Sequence, residues 1–262
     1  MKRFINDIKK YYKYTVYAAK AELKSEVAGS YLGWIWWFLE PFCYMLIYAF
    51  LCTYIFNAKE ENILAFVFIG NTIWTFINKC MTSSVKTISS NKNIVTKVYL
   101  PKFILVLVKM LVNFFKLLIS LVLVAVIMLA TGATIGITML ELIPVLILLF
   151  ILTFGVCVIL ANYGVFFEDL VNVVNILLKF TFYFSGIFYS VSTRIRAPYG
   201  PMLARVNPAA FLIEQARAVF LHGKHLNIEW FVIWLVIGIV ISILGVRLIY
   251  KHENDYVKVM NG

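Results

Sequence analysis

The chain has 262 residues, 62% of them hydrophobic, and its 24 Lys and Arg against 13 Asp and Glu leave a net charge of +11. A mean hydropathy of +0.88 is far above that of soluble domains, in which roughly half the residues are apolar, and argues against a water-soluble fold. The basic residues are split along the chain with no binding motif to organise them, which argues against a nucleic-acid partner; the excess fits a membrane protein with anionic lipid, or an anionic substrate, nearby.

Residues 1–32 are too polar for the apolar core of a secretory leader, so no cleaved segment is expected. Phe4, Ile8, Tyr11, Tyr12, Thr15 and Ala19 recur at helical spacing, with Lys9, Lys10, Lys13 and Lys20 on the other face. A basic amphipathic helix of this kind lies in the membrane interface rather than crossing it. Tyr31 to Trp37 is an aromatic cluster suited to the headgroup level, and Glu40-Pro41 follows within the first apolar run, where a carboxylate needs a partner.

Six runs are long and apolar enough to span a bilayer, which takes about 20 residues: 33–56, 63–81, 103–131, 142–166, 171–191 and 229–250. The expected fold is an all-α integral membrane protein, one domain over 1–262, with 33–191 holding spans one to five and 251–262 a tail. Lys and Arg number seven up to Leu32, four in 82–102 and three from Arg247 on, against Lys59 alone in 57–62 and none in 132–141. The positive-inside rule then puts both termini and the 82–102 segment in the cytoplasm. Arg194, Arg196, Arg205, Arg217 and Lys224 in the outer segment run against that trend and need another reason.

The 82–102 segment is purely basic in its charges, and its middle can form a short helix that Pro101 ends. Such a helix between two spans is a lever for a soluble partner. In 192–228, Asn207 as N-cap and Pro208 at the first helical position start a helix over 208–221, too short to span and expected to dip back into the outer leaflet.

Within the spans, Lys109, Asn113 and Lys116 share a face of the third, and Lys179 stands mid-way along the fifth. A lysine near the bilayer centre costs roughly 2.5–3.5 kcal/mol on an insertion scale. Lys109 can snorkel; Lys116 is too deep and should face a polar interior, a partner subunit or an anionic group. Cys43, Cys52, Cys80 and Cys157 fall within spans and read as small buried apolar residues. His222, His225 and Glu229 could hold a metal, although helix-end histidines at a membrane surface are commoner; no GxxxxGK[ST] phosphate loop is present.

Taken in order, Ser30 to Trp34 leading to Glu40-Pro41, Gly70 to Trp74, Ser89 to Val95 running into Tyr99 to Lys102, Phe167 to Leu170, Tyr183 to Tyr189, Asn207-Pro208 and Arg217 resemble the permease subunits of type-2 ABC exporters for cell-surface polysaccharides, the O-antigen and wall teichoic acid exporters. Lys24-Ser25-Glu26 and Ser185-Gly186 depart from the family pattern. The resemblance implies a homodimer of six-span subunits in the bacterial cytoplasmic membrane, paired with two copies of an ATPase subunit that binds ATP and Mg, while this chain carries no cofactor. It implies a lipid-linked glycan as substrate and makes 82–102 the coupling helix, with Asn91, Lys92, Asn93, Lys97, Tyr99 and Pro101 at the ATPase contact. Lys116, Asn113, Lys179, Tyr183 and Tyr189 are expected along the substrate pathway, beside aromatics such as Tyr44, Tyr48, Phe180 and Phe184 whose faces suit sugar rings. Asn207, Pro208, Phe211 and Arg217 belong to the outer gate on the same reading. A permease for another amphiphile, or a polytopic enzyme acting on lipid-linked sugars, is the alternative.

Overall fold

The computed structural model describes residues 2–55, 62–130 and 136–261. Most of the expected turns at 57–62 and 132–141, with the ends of the first and third runs at Phe56 and Thr131, therefore lie outside the described residues. All secondary structure among the described residues is helical.

α1 spans Lys2–Ala28, longer than its periodic stretch, and buries Thr15 and Ala19. Phe4, Ile8 and Tyr11 also pack on the core, but Tyr12, expected beside them, points away and is exposed. A short 3-10 turn at Gly33–Ile35 leads into α2 (Trp36–Phe50), which carries Pro41 internally and runs into a π-helical turn at Leu51–Ile55. α3 (Ile63–Ser90) is the hub of the fold, packing against α2, α5 (Phe103–Ala130), α6 (Leu142–Tyr163), α7 (Leu170–Phe184) and α10 (Pro208–Phe220). Phe66, Phe68, Ile69, Ile73, Trp74 and Phe76 on it are all buried.

The helix of α3 does not stop at Met81 as its hydropathy predicts. It continues through the polar residues because Val85 and Ile88 keep one of its faces buried, while the hydroxyls find acceptors on the helix itself: Thr87 donates to the Ser83 carbonyl at 2.8 Å, and Ser90 to that of Lys86 at 2.8 Å. Val85 and Ile88 stay in the core throughout this extension. The 82–102 segment is thus the end of α3 followed, after a break at Asn91, by α4 (Lys92–Lys97).

α5 (Phe103–Ala130) is apolar but for Lys109, Asn113, Lys116 and Ser120, α6 (Leu142–Tyr163) is apolar over nearly all its length, and α6 packs along most of α11 (Ile228–Lys251). α7 (Leu170–Phe184) is shorter than the expected 171–191 run. It ends because Gly186 has φ +67°, a left-handed conformation that glycine adopts without cost, and an added Cβ would meet Val191 Cγ2 at 2.3 Å. Among the described residues, four helices are long and apolar enough to cross a membrane: α3, α5, α6 with the 3-10 turn before it, and α11.

The segment after α7 holds α8 (Val191–Arg194), α9 (Tyr199–Val206) and α10 (Pro208–Phe220). α10 starts where its sequence predicts. The Asn207 side-chain oxygen accepts from the Ala209 and Ala210 amides at 3.0 and 3.4 Å, and its amide donates to the Phe184 carbonyl at 3.1 Å. Ala209 to Ile213, Ala216, Arg217, Val219 and Phe220 are buried, so α10 is packed among its neighbours rather than draped over them. After α11, α12 (Glu253–Asn261) folds the tail back, and Tyr256 donates to the buried Asn162 Oδ1 at 2.6 Å.

Candidate translocation cleft

One side of the molecule carries an open cleft whose wall is built by α2, α3, α5 and α7. Its middle part, about 670 Å³, is lined by Glu40, Tyr44 and Tyr48 of α2, Asn71, Asn78 and Lys79 of α3, and Asn175, Lys179 and Tyr183 of α7. Toward α8 it continues into a space of about 630 Å³ bordered by Tyr48, Tyr183, Phe188, Tyr189 and Arg194. Toward α4 it opens into a recess of about 570 Å³ between α1, α3 and α5, where Asn113 and Lys116 stand. Four of the five residues expected along the pathway therefore line two adjoining parts of one cleft, and Tyr189 borders its other end.

Six of the cleft's charges form three pairs that bridge different helices. Glu40 accepts from Lys79 Nζ at 2.9 Å, which supplies the partner that a carboxylate beside Pro41 needs. Lys109 does not merely snorkel: its Nζ lies 2.5 Å from Glu22 Oε1. Lys116 meets its anion on α1, with Nζ 2.6 Å from Glu26 Oε2. All six side chains are partly exposed, and an ion pair open to water contributes only about 0–1 kcal/mol. Tyr44 and Tyr48 stack with ring centroids 6.1 Å apart, and Tyr48 meets Phe188 edge-on at 5.1 Å. Flat apolar faces thus alternate with amide and ammonium groups along the wall.

The end toward α8 is held together differently. Arg217, buried on α10, donates to the carbonyls of Phe66 at 3.0 Å, Gly186 at 2.7 Å and Ile187 at 2.7 Å, and its guanidinium lies 3.5 Å from the Phe66 ring centroid. Gly70 makes room for it, since a Cβ there would stand 2.5 Å from Arg217 Nη2. This is the separate reason that Arg217 needed. It holds α10 to α3 and to the turn after α7. Pro208 begins α10, and Phe211 is buried in the core beside it.

At the opposite end, α4 turns Lys92, Asn93 and Lys97 outward and anchors itself through Val95. Asn91 donates to the Thr87 carbonyl at 2.8 Å, and Pro101 is buried. The Tyr99 ring is exposed, yet its hydroxyl accepts from Arg3 at 2.5 Å and its carbonyl accepts from Tyr11 at 3.3 Å. Arg3 also bonds Glu253 at 2.7 Å, with Lys102 Nζ 4.0 Å from the same carboxylate. Burial would lower the Arg3 pKa, but its bonds to Glu253 and Tyr99 outweigh this and raise it; burial lowers that of Lys102. The start of α1, the segment after α4 and the start of α12 are thereby tied into one cluster.

The family model for the ABC-2 type transporter matches residues 15–221. The chain belongs to the ABC-2 type transporter family. An O-antigen export system permease protein, RfbA, of Myxococcus xanthus is 28% identical over 221 residues, covering 84% of this chain and 85% of its own length. Two proteins of Klebsiella pneumoniae with the same name are 25% and 23% identical over 240 residues, 91% of this chain and 92% of theirs. Membrane-length helices in a chain of this transporter family make it a multi-pass membrane protein.

Several cleft residues of this ABC-2 chain escaped sequence reasoning: Lys79, Asn71 and Asn78 on α3, and Glu22 and Glu26 on α1. The available signal was opposite charge at helical spacing, Glu22 and Glu26 one turn apart, but nothing local tied them to lysines some 90 positions on. Cys43, expected to be buried, is exposed; Cys80 and Cys157 are buried, and the Cys52 side chain lies outside the described residues. His225 bonds Glu141 at 2.6 Å rather than joining His222 and Glu229, and no group of three or more metal-ligating side chains forms among the described residues.

Proposed function

We propose that this chain is the membrane permease of an ATP-driven exporter that moves a lipid-linked polysaccharide or teichoic acid across the cytoplasmic membrane. The observation that carries the reading is the continuous cleft, in which aromatic faces alternate with amides and paired charges from the α4 end to the α8 end. A glycan is an amphiphile of this kind, with apolar sugar faces and a rim of hydroxyls. The likeness to permeases named for O-antigen export supports it.

On this reading two copies of the chain face each other across their clefts and enclose the route. Each has six spans, with α2 and α7 completing the set that α3, α5, α6 and α11 begin. Both termini face the cytoplasm, and α1 rests in the interface. α4 presents Lys92, Asn93 and Lys97 to a separate ABC ATPase, two copies per transporter, which binds ATP and Mg; the chain itself performs no catalysis. α8, α9 and α10 form the outer gate, re-entering the outer leaflet.

Mechanistically, closure of the ATPases pushes α4, and the Arg3–Tyr99–Glu253 cluster passes the displacement to α1 and α12. Movement of α1 reaches the cleft through the Glu22–Lys109 and Glu26–Lys116 pairs. At the other end the Arg217 staple keeps α10 fixed to α3, so opening there occurs by motion of α3 and α10 together. Cells from which this chain is deleted should lose the surface glycan and accumulate lipid-linked glycan on the cytoplasmic side. Unchanged surface glycan in such cells would contradict the exporter reading.

A further inference from the structure

A second groove, of about 590 Å³, flanks α7 on the side of Phe180 and Phe184. It exists because α7 packs on α3 and α11 packs on α6, without extended contact between α7 and α11 among the described residues. Trp74 and Met81 of α3 floor the gap, and Leu212 of α10 with Trp234 and Ile241 of α11 bound it. Two polar side chains at the wall are already used: Asn207 caps α10 and donates to the Phe184 carbonyl, and Thr181 donates to the Leu177 carbonyl at 2.8 Å. The rim is basic. From 170 to 213 the chain has no acidic residue, yet it carries Arg194, Arg196 and Arg205, charges that the translocation cleft does not explain. Trp234 Nε1 donates to the Arg205 carbonyl at 2.9 Å, which puts this arginine at the groove's end. Arg205 is exposed and forms no ion pair among the described residues.

We propose that the groove between α7 and α11 is a site for an anionic phospholipid, one acyl chain lying in the groove and the phosphate meeting Arg205. Length agrees with this occupant. From Trp234 to Ile241, as from Trp74 to Met81, the groove runs about 10 Å at the helical rise. One leaflet supplies roughly 15 Å of a hydrocarbon core about 30 Å thick, so the groove takes most of one acyl chain measured from the headgroup. An apolar groove left empty forfeits the dispersion contacts along its walls, and an acyl chain restores them. Trp234 stands where an indole suits the headgroup level, its N–H turned to a polar partner and its ring to the groove. The acyl chain is the same for any lipid, so the unpaired guanidinium decides which headgroup is held: a phosphate, met by paired N–H donors, on a lipid whose net charge is negative. Such a lipid is a resident of the fold and not its cargo, whichever amphiphile the cleft carries. Its acyl chain props α10 against α7 and α11, beside the helix that Arg217 staples to α3.

The test uses the full chain, purified in detergent with its associated subunits and given an equimolar mixture of dioleoylphosphatidylglycerol and dioleoylphosphatidylcholine. Native mass spectrometry reads the retained lipid, and thermal unfolding reads its effect. Wild type should retain phosphatidylglycerol severalfold over phosphatidylcholine, and added phosphatidylglycerol should raise its unfolding midpoint. Arg205→Gln should bring the two lipids to equal retention, while Arg205→Lys, which keeps the charge, should preserve most of the preference. An unchanged preference in Arg205→Gln overturns the headgroup assignment. Thr181→Trp fills the groove from α7 and Ile241→Trp fills it from α11; either should lower retention of both lipids and make the midpoint insensitive to phosphatidylglycerol. Undiminished retention in whichever of the two folds overturns the groove as the place of the acyl chain. Displacement of phosphatidylglycerol by a smaller amount of undecaprenyl phosphate would assign the groove to polyprenyl chains and overturn the resident lipid. Wild type that holds neither lipid, with Thr181→Trp dissociating the oligomer, would make the groove an interface between copies and overturn the proposal as well.

Discussion

The two ends of the cleft hold their cations in opposite ways. Arg217 is buried, and three backbone carbonyls and an aromatic face surround its guanidinium. Lys79, Lys109 and Lys116 are half-exposed, and each meets a single carboxylate from another helix. A buried cation with many fixed partners is costly to uncover and therefore holds the structure in one arrangement. A half-exposed cation with one partner exchanges it at little cost. The end near α8 is built to stay assembled, and the end near α4 is built to change partners.

The comparison breaks first at Arg217. Arg217→Met should strand the carbonyls of Phe66, Gly186 and Ile187 and destabilise the protein by about 3 kcal/mol or more, since each uncompensated buried group costs about 1–3 kcal/mol. Gly70→Val should act on the same contact by pushing into the guanidinium. Thermal unfolding in detergent measures both; a midpoint within a degree of wild type would show that the staple does not hold the end near α8.

A smaller loss, about 1 kcal/mol, is expected for Tyr256→Phe, which removes the donor to Asn162. It carries a pH signature. Burial, with Glu253 and Asp255 nearby, pushes the Tyr256 phenol above its ordinary value of 10.0, so above that pH the unfolded chain loses a proton that the folded chain keeps. The folded state then binds more protons, and stability falls as pH rises. Wild type should lose stability above about pH 10 more steeply than Tyr256→Phe; parallel profiles would contradict the assignment.

Smaller still in stability are the cleft pairs. Lys116→Gln and Lys116→Leu should each change unfolding by no more than about 1 kcal/mol, yet slow glycan export, with Leu at least as damaging as Gln. Full export together with raised stability in Lys116→Leu would make the lysine a lipid-face residue. The least structural of all is Asn93, exposed on α4: Asn93→Trp should stay within about 0.5 kcal/mol of wild type while uncoupling ATP hydrolysis from export. Persistence of both activities would remove α4 from the coupling path.

Local features of the sequence were sufficient for local structure. The apolar period from Phe4 to Ala19 placed α1 although not its full length, and Asn207-Pro208 placed the start of α10, because caps and amphipathic faces depend on neighbours three or four residues away. The end of α7 was not legible, since the run to Val191 stays apolar and only the left-handed turn at Gly186 interrupts it. Nor was the length of α3, whose polar end is held by the burial of Val85 and Ile88 in the core. Lys109 and Lys116 were visible as isolated charges in an apolar helix, and Glu40 as a carboxylate in need of a partner, but Lys79, Glu22 and Glu26 were not. Glu22 lies 87 positions from Lys109 and is brought to it only by packing of α1 on α5.

The central claim is that the cleft, rather than the other exposed faces of the helices, is the route for the glycan. A photo-crosslinking amino acid can replace Tyr183 or Tyr44 in the cleft, or Val240 on the exposed side of α11, in the transporter reconstituted with its ATPase and supplied with radiolabelled lipid-linked glycan. Illumination during ATP hydrolysis should attach label at Tyr183 and Tyr44 and leave Val240 unlabelled. Equal labelling at all three positions, or label at Val240 alone, would contradict it.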